Sequence, residues 1–370
     1  MLVMVLGLVG PLLAAPRRFA IPVAVGEILA GVIFGRSGFQ IIDTSAPNLN
    51  LLGQLGFALV MMVTASHIDV RRIFGAKAAG KAGINFALVL VGALAAAVGI
   101  GYFTGQTANI PVFAVILASS AAAVVLPSFA TDASGKAGSF ATFLVQVTIA
   151  DLVAIIALPL VSRSVNPGGV VIGAAVVTAA SVAIYALLRW AQGNGDWKHL
   201  RQFSAQHGFG LELRLSFILL LGLIWLAQSF EVTIMIAGFG LGLAIAANGV
   251  PHRLAKQLFA VSEGFFSPVF FVLLGAGINV SAVFQQPELL LLSLLLGGAA
   301  ILVHLLPVLR GLPARFAVAS SAQLGVPAAA VSIGIGTHSL TDAQAGAIML
   351  GALITLAATA IAAAAKGKTN

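Results

Sequence analysis

The sequence has no cysteine and little charge, and both shortages narrow what the chain can be. Without cysteine there are no disulfides, no thiol catalysis and no Cys-based metal or iron–sulfur sites. Only 8% of the residues are charged and 60% are hydrophobic, against about 25% charged in an ordinary soluble domain. A water-soluble fold of 370 residues cannot bury that much apolar surface, so the composition predicts a membrane protein.

Enzyme motifs are absent from the sequence as well. It contains neither an HExxH pair nor a GxSxG turn, which are the local patterns of zinc peptidases and α/β-hydrolases. We therefore expect no enzymatic activity and no cofactor.

The apolar runs are unbroken rather than alternating, which favours membrane helices over the strands of a barrel. The fold class predicted is an all-α polytopic membrane protein with about thirteen transmembrane helices. Turn and charged residues divide the chain into thirteen apolar segments, at 2–15, 20–35, 52–66, 83–104, 110–130, 140–162, 168–190, 213–229, 231–248, 260–278, 287–309, 312–337 and 341–365.

The positive charges alternate between the two sides of this predicted bundle. Of the 19 Lys and Arg, all but Arg36 and Arg163 fall in every second connection, in the segment ends that border it, or in the C-terminal tail. Cytoplasmic loops collect Lys and Arg, so the N-terminus is predicted outside and the C-terminus in the cytoplasm. The net charge of +8 is then a signal of topology. Nucleic acid is not an expected partner, because no basic patch is interleaved with polar and aromatic residues.

The longest polar connection, about 191–212, separates a first half, 1–190, from a second half, 213–370. It is either a plain cytoplasmic linker or an interfacial amphipathic helix. Glycine-rich patterns in the second and ninth segments resemble one another, and a shift of seven spans turns the second copy upside down. Such inverted repeats are common in secondary transporters. We expect no soluble regulatory domain, because the chain ends a few residues after its last segment.

Two segments in matching positions of the halves carry proline and small polar residues in mid-span, namely 110–130 and 312–337. Proline removes a backbone hydrogen bond, and such breaks are tolerated at membrane depth only where the freed groups face protein or a wet cavity. The pair predicts two broken helices around an ion site at the midplane; the alternative is ordinary proline kinks with serines bonded to carbonyls. The residues that mark the breaks are Pro127, Gln323, Gly325 and Pro327.

One acid lies at the centre of a segment. Asp151 is in the middle of 140–162, whereas the other ten acids lie near helix ends or in connections. An aspartate at the bilayer centre costs at least about 2.5–3.5 kcal/mol on insertion scales, so it predicts function. It can hold a proton or a cation, and that competition is the chemistry of exchange. The alternative is a protonated structural aspartate bonded to a neighbouring helix.

Polar residues near Asp151 in the sequence could complete a cation site, because hard cations prefer oxygen ligands. One histidine, His304, lies inside the eleventh segment and could pair with Asp151 or carry a proton itself. Its alternative role is a histidine satisfied by a backbone carbonyl. The predicted oxygen donors are Ser119, Ser120, Thr148 and Gln146.

Four stretches resemble the monovalent cation:proton antiporter-2 family, which includes sodium/proton antiporters and the transport domain of glutathione-gated potassium efflux systems. Pro22 to Gly35, with the sequence PVAVGEILAGVIFG, is similar to the family's second helix. The other three stretches are Leu55–Arg72, Ala118–Asp132 and Pro268–Val280. This resemblance implies exchange of Na⁺ or K⁺ for protons in the cell membrane, by a homodimer whose core domain moves against a dimerisation domain. It also implies that the fifth and twelfth segments cross and that Asp151 is the essential aspartate.

The chain departs from this family at the residue before the aspartate. Members place Asp, Asn or Gln there, and this sequence has Ala150, which leaves the ion and the stoichiometry open. A sodium-coupled organic-anion symporter of the same architecture is the second hypothesis, although it would not require an acid at mid-helix. An ion channel or a membrane scaffold is the third, although no repeated filter element is apparent.

Overall fold

The computed structural model describes residues 1–15, 22–44, 46–67, 76–129, 137–162, 167–193, 199, 202–204, 206–230, 232–249 and 251–365. All regular secondary structure in these ranges is helical, and each of the thirteen predicted segments contains a helix or a pair of helices, which confirms the fold class. Eight of the described helices are long and apolar enough to cross a membrane, and five apolar helices are shorter. Parts of the predicted linker, together with Ile68 and Asp69, lie outside the described ranges.

The helices are numbered by the predicted segment they occupy. Their bounds are α1 Leu2–Ala14, α2 Val23–Phe34, α3 Pro47–Ser66, α4 Ala76–Phe103, α5a Ile110–Ala118, α5b Ala122–Phe129, α6 Ala137–Val161, α7 Pro167–Gly193, α8 Leu211–Ser229, α9 Ile234–Ala247, α11 Pro287–Leu305, α12a Ala314–Ala319, α12b Gly325–Gly336 and α13 Asp342–Ala364. The tenth segment forms α10, which consists of His252–Val261, a π-helical turn at Ser262–Phe266, and Ser267–Gly277.

Local sequence signals fix several of these helix ends. Thr341 caps α13 by accepting from the backbone N–H of Gln344, whose side chain accepts from Thr341 in return, and this reciprocal pair satisfies two donors that a helix start leaves free. Thr233 caps α9 in the same way through one bond, to the N–H of Met235. Pro287 is the first residue of α11, where its missing N–H costs no helix bond.

The chain forms two compact units, and each contains segments from both sides of the polar connection. Unit 1 comprises Met1–Asn50, Arg72–Val165 and Phe271–Asn370; unit 2 comprises Leu51–Arg71 and Asn166–Phe270. In unit 1, α4 packs against α5a and α6, and α11 packs against α13; in unit 2, α9 packs against α7 and α8. The division into halves at 191–212 therefore remains a prediction about a repeat and does not coincide with the compact units.

Glycines allow α2 and the end of α10 to approach closely within unit 1. A Cβ on Gly31 would overlap the carbonyl oxygen of Val272, and one on Gly275 would overlap that of Ile28. Small residues permit such backbone contact between membrane helices. The pattern Pro22 to Gly35 thus has a packing reason in this chain.

Candidate ion-binding site

The fifth helix is interrupted at residues 119–121. α5a ends at Ala118, Ser119 has an extended backbone, and α5b begins at Ala122. The break precedes Pro127, which lies within α5b. Of the proline and small polar residues that marked this segment, the small polar ones occupy the interruption, and Pro127 lies beyond it.

The twelfth helix is interrupted in the same manner at residues 320–324, between α12a and α12b. Gly325 is the first residue of α12b and Pro327 is in its first turn, where a missing N–H has no intrahelical partner to lose. Gln323 lies in the interruption itself and is 2% exposed.

Asp151 contacts the first break. Its side chain is 6% exposed, and Oδ2 accepts a hydrogen bond from the backbone N–H of Ala122 at 3.4 Å. Ala122 is the first residue of α5b, so its N–H belongs to the donors that a helix start leaves unpaired and lies at the positive end of the helix dipole. The carboxylate of α6 is therefore placed where a negative charge, or a cation–carboxylate pair, finds a favourable field.

The other end of the same break is bonded to the second break. The carbonyl oxygen of Ile116, in the last turn of α5a, accepts from Nε2 of Gln323 at 2.6 Å and from Oγ of Ser119 at 2.7 Å. Carbonyls at a helix end lack intrahelical donors and carry the negative end of the dipole. Different helices thus bind the two ends of the interruption in helix 5. The carboxylate of Asp151 binds the start of α5b, and the amide of Gln323 binds the end of α5a.

Two of the predicted oxygen donors are buried without any hydrogen-bond partner in the described part of the chain. They are the hydroxyl of Ser120, 2% exposed, and the amide of Gln146, 1% exposed. Thr148 donates to the carbonyl of Leu144 at 2.9 Å, which leaves lone pairs of its oxygen available. Most buried polar groups have a partner, so these unpartnered oxygens suit a ligand that the protein binds and releases.

No group of three or more His, Asp or Glu that could hold a metal ion occurs among the described residues. The donors near the breaks are one carboxylate with neutral oxygens. Such a set fits a monovalent cation carried as substrate and does not resemble a resident transition-metal centre, which uses imidazole or thiolate ligands.

His304 is buried, at 1% exposure, and does not pair with Asp151 in this structure. Its Nδ1 lies 2.9 Å from the carbonyl oxygen of Ala300, and its Nε2 has no hydrogen-bond partner within the described ranges. The carbonyl bond is the contact that the alternative interpretation expected. Its function as a charge partner remains a prediction.

Ala150 lines an apolar cleft of about 160 Å³ between α4, α5a and α6, together with Ala118 and Val153. The position before the aspartate therefore contributes to an apolar wall and supplies no oxygen to the site.

A second buried acid escaped the sequence analysis. Glu27 was grouped with the acids near helix ends, and it does lie early in α2, yet it is only 2% exposed. Its neighbour Gly10 is so close that a Cβ there would meet the Glu27 side chain at 2.7 Å. The glycines of α1 and α2 were the signal that this helix start is packed against protein.

Comparison with known proteins identifies the family to which the chain is similar. The family described as "Sodium/hydrogen exchanger, transmembrane" matches residues 3–366. YjbQ of Bacillus subtilis is 25% identical over 372 aligned positions, which cover 95% of this chain, and the chain spans 60% of the length of YjbQ. A Na⁺/H⁺ antiporter of Enterococcus hirae is 24% identical over 306 positions, covering 78% of this chain and 75% of that protein.

A solved structure shares the fold. The sodium proton antiporter MjNhaP1 from Methanocaldococcus jannaschii, determined at pH 8, superposes with a TM-score of 0.67 at 20% identity, over 98% of this chain and 94% of that one. The family match extends over almost the entire chain, and the chain therefore belongs to the transmembrane sodium/hydrogen exchanger family.

Proposed function

We propose that this multi-pass membrane protein is a secondary active transporter that exchanges Na⁺, or K⁺, for protons by alternating access. The observation that carries the proposal is the buried carboxylate of Asp151 bonded to the first N–H of α5b. The names of the Enterococcus hirae relative and of the solved Methanocaldococcus jannaschii structure support sodium as the cation.

Coupling follows from the cost of an isolated charge. A buried carboxylate is strongly destabilised unless it is neutralised or paired. Asp151 with a proton is neutral, and Asp151 with a cation is neutral as a pair, so both loaded forms can change access. The empty carboxylate is charged, and a change of access in that form costs much more free energy. One carboxylate therefore enforces exchange, because each change of access requires either a proton or a cation on the same oxygens.

The neutral donors would replace part of the cation's hydration shell. The oxygens of Ser119, Ser120, Thr148 and Gln146 are of the type that hard cations bind, and those of Ser120 and Gln146 lack an internal partner in the described residues. We assign them to the cation-loaded form, in which the carboxylate supplies the charge and the neutral groups supply coordination.

The assembly proposed is a homodimer in the cell membrane, with the N-terminus outside and the C-terminus in the cytoplasm. The distribution of Lys and Arg supports the orientation. The separation of the chain into two compact units supports a moving core and a fixed dimerisation part.

The test is exchange in proteoliposomes with an imposed pH gradient, followed with a pH-sensitive dye while Na⁺, K⁺ or Li⁺ is added in turn. We expect cation-dependent proton movement in the wild type and none in Asp151→Asn, which cannot ionise. Glu288→Gln is the matched control, because Glu288 is an exposed acid in the first turn of α11. Exchange that persists in Asp151→Asn would contradict the proposed carrier.

The same vesicles discriminate the other hypotheses. A sodium-coupled symporter would accumulate an organic anion with Na⁺ and would not require a pH gradient. A channel would pass current without coupling two ions. The buried carboxylate at a helix start favours exchange over both.

A further inference from the structure

Gln323 is bonded at both of its polar nitrogens, to two different helices. Its backbone N–H donates to Oγ1 of Thr355 in α13 at 3.1 Å, and its side-chain Nε2 donates to the carbonyl of Ile116 in α5a at 2.6 Å. All of these contacts are within unit 1. The second break is thus connected on one side to the last helix and on the other to the site of Asp151.

The hydroxyl of Thr355 is oriented to act as the acceptor. It is fully buried and donates its own proton to the carbonyl of Ala352 at 2.7 Å, so its lone pairs remain for the N–H of Gln323. One turn later, Thr359 donates to the carbonyl of Thr355 at 2.9 Å. Residues four apart share a helix face, and this face of α13 is directed at the break.

The N–H of Gln323 needs this partner because the break removes its helical acceptor. An unsatisfied N–H in a buried site is costly, so without the hydroxyl the segment 320–324 would rearrange to find another acceptor. The side chain of Gln323 starts from the same residue, and its bond to Ile116 would be disturbed with it.

We infer that Thr355 is a positioning residue for the ion-binding site. Its hydroxyl holds the backbone of Gln323, the amide of Gln323 holds the end of α5a, and the next residues of that interruption lead to Ala122 and its bond with Asp151. The inference rests on the proposed exchange of a cation for protons, and it extends the site to the last helix, which contributes no ligand.

The test measures the cation concentration at half-maximal exchange in Thr355→Val, Thr355→Ala and Thr355→Ser, together with the melting temperature of each purified variant. Val and Ala delete the hydroxyl and Ser retains it. We expect a rise of about threefold to tenfold in Val and Ala, the change that the loss of one hydrogen bond produces, and a value near the wild type in Ser. Thr64→Val is the matched control, because Thr64 is also buried and donates to a backbone carbonyl of its own helix, that of Val60, and it should exchange like the wild type.

A second comparison separates positioning from general stability. Gln323→Leu should also raise the cation concentration at half-maximal exchange. The double variant with Thr355→Val should raise it little further, because both changes interrupt the same series of hydrogen bonds from Thr355 through Gln323 to Ile116. Three results would each overturn the inference. The first is a wild-type cation concentration at half-maximal exchange in Thr355→Val, the second is an equal rise in Thr355→Ser, and the third is failure of both the Val and the Ala variant to fold. A wild-type protein that exchanges no cation would instead refute the proposed function.

Discussion

At the residue scale, the amide of Gln146 should show opposite effects on stability and on transport. Both of its polar atoms are buried without a hydrogen-bond partner in the described structure, and such a group costs about 1–3 kcal/mol. Gln146→Leu should therefore raise the melting temperature while it also raises the cation concentration at half-maximal exchange, because a ligand has been lost. Thermal unfolding gives the melting temperature, and proteoliposome exchange with the same preparation gives the cation concentration at half-maximal exchange. A variant that is more stable and exchanges normally would show that the amide is no ligand.

The sequence predicted which carboxylate matters and could not predict what binds it. Asp151 was identifiable because an acid amid 140–162 has no other acid near it. The N–H of Ala122 could not be inferred, since it becomes available only where the helix restarts, and that boundary depends on tertiary contacts. Glu27 was missed for the related reason that a helix start can be buried by a neighbouring helix.

At the element scale, the contact of α2 with α10 depends on glycine. Gly31→Val should lower the melting temperature by several degrees, because the new side chain would meet the backbone at Val272 and overpacking costs about 1–3 kcal/mol. Gly99→Ala is the control: Gly99 lies in α4 with nothing within 4 Å of an added Cβ, and alanine favours a helix by up to about 1 kcal/mol. Equal melting temperatures for Gly31→Val and wild type would contradict the close approach.

The two broken helices were predicted from their sequence, but the positions of the breaks were not. Proline was expected to produce them, whereas both interruptions precede the proline and contain Ser119 and Gln323. Pro327 is in the first turn of α12b, where a proline loses no helix bond. The interruptions are stabilised by hydrogen bonds to α6, to α13 and between the two broken helices, and such partners are distant in sequence.

At the scale of the whole molecule, a single carboxylate determines the charge moved per cycle. Asp151 is the acid found at the breaks in the described structure, and for the proposed exchange we predict that one proton is exchanged for one monovalent cation and that no net charge crosses. Exchange rates should therefore be unchanged when a membrane potential is imposed with K⁺ and valinomycin during Na⁺/H⁺ exchange. A dependence on potential that disappears in His304→Ala would contradict this stoichiometry and would make the histidine a second proton carrier.

The thirteen segments and their helical state could be predicted from the apolar runs and from the turn and charged residues between them, because these are local properties of the sequence. The two compact units could not be predicted in this way. Each gathers stretches that are far apart in sequence, and nothing in the order of the segments says which of them pack together. For example, an ion pair of 3.0 Å joins Arg36, just after the end of α2, to Asp342, the first residue of α13.

The bond from Gln323 to Ile116 also implies an order of assembly, because it joins an early helix to a late one. Its two residues are 207 positions apart, and translation proceeds at about 5–20 residues per second. The first interrupted helix must therefore wait roughly 10 to 40 seconds in the nascent chain before its partner is synthesised. A ribosome-bound intermediate that ends before residue 323 lacks the bond from Gln323 to Ile116, so the first interrupted helix should reach its final conformation only after the remaining chain is made.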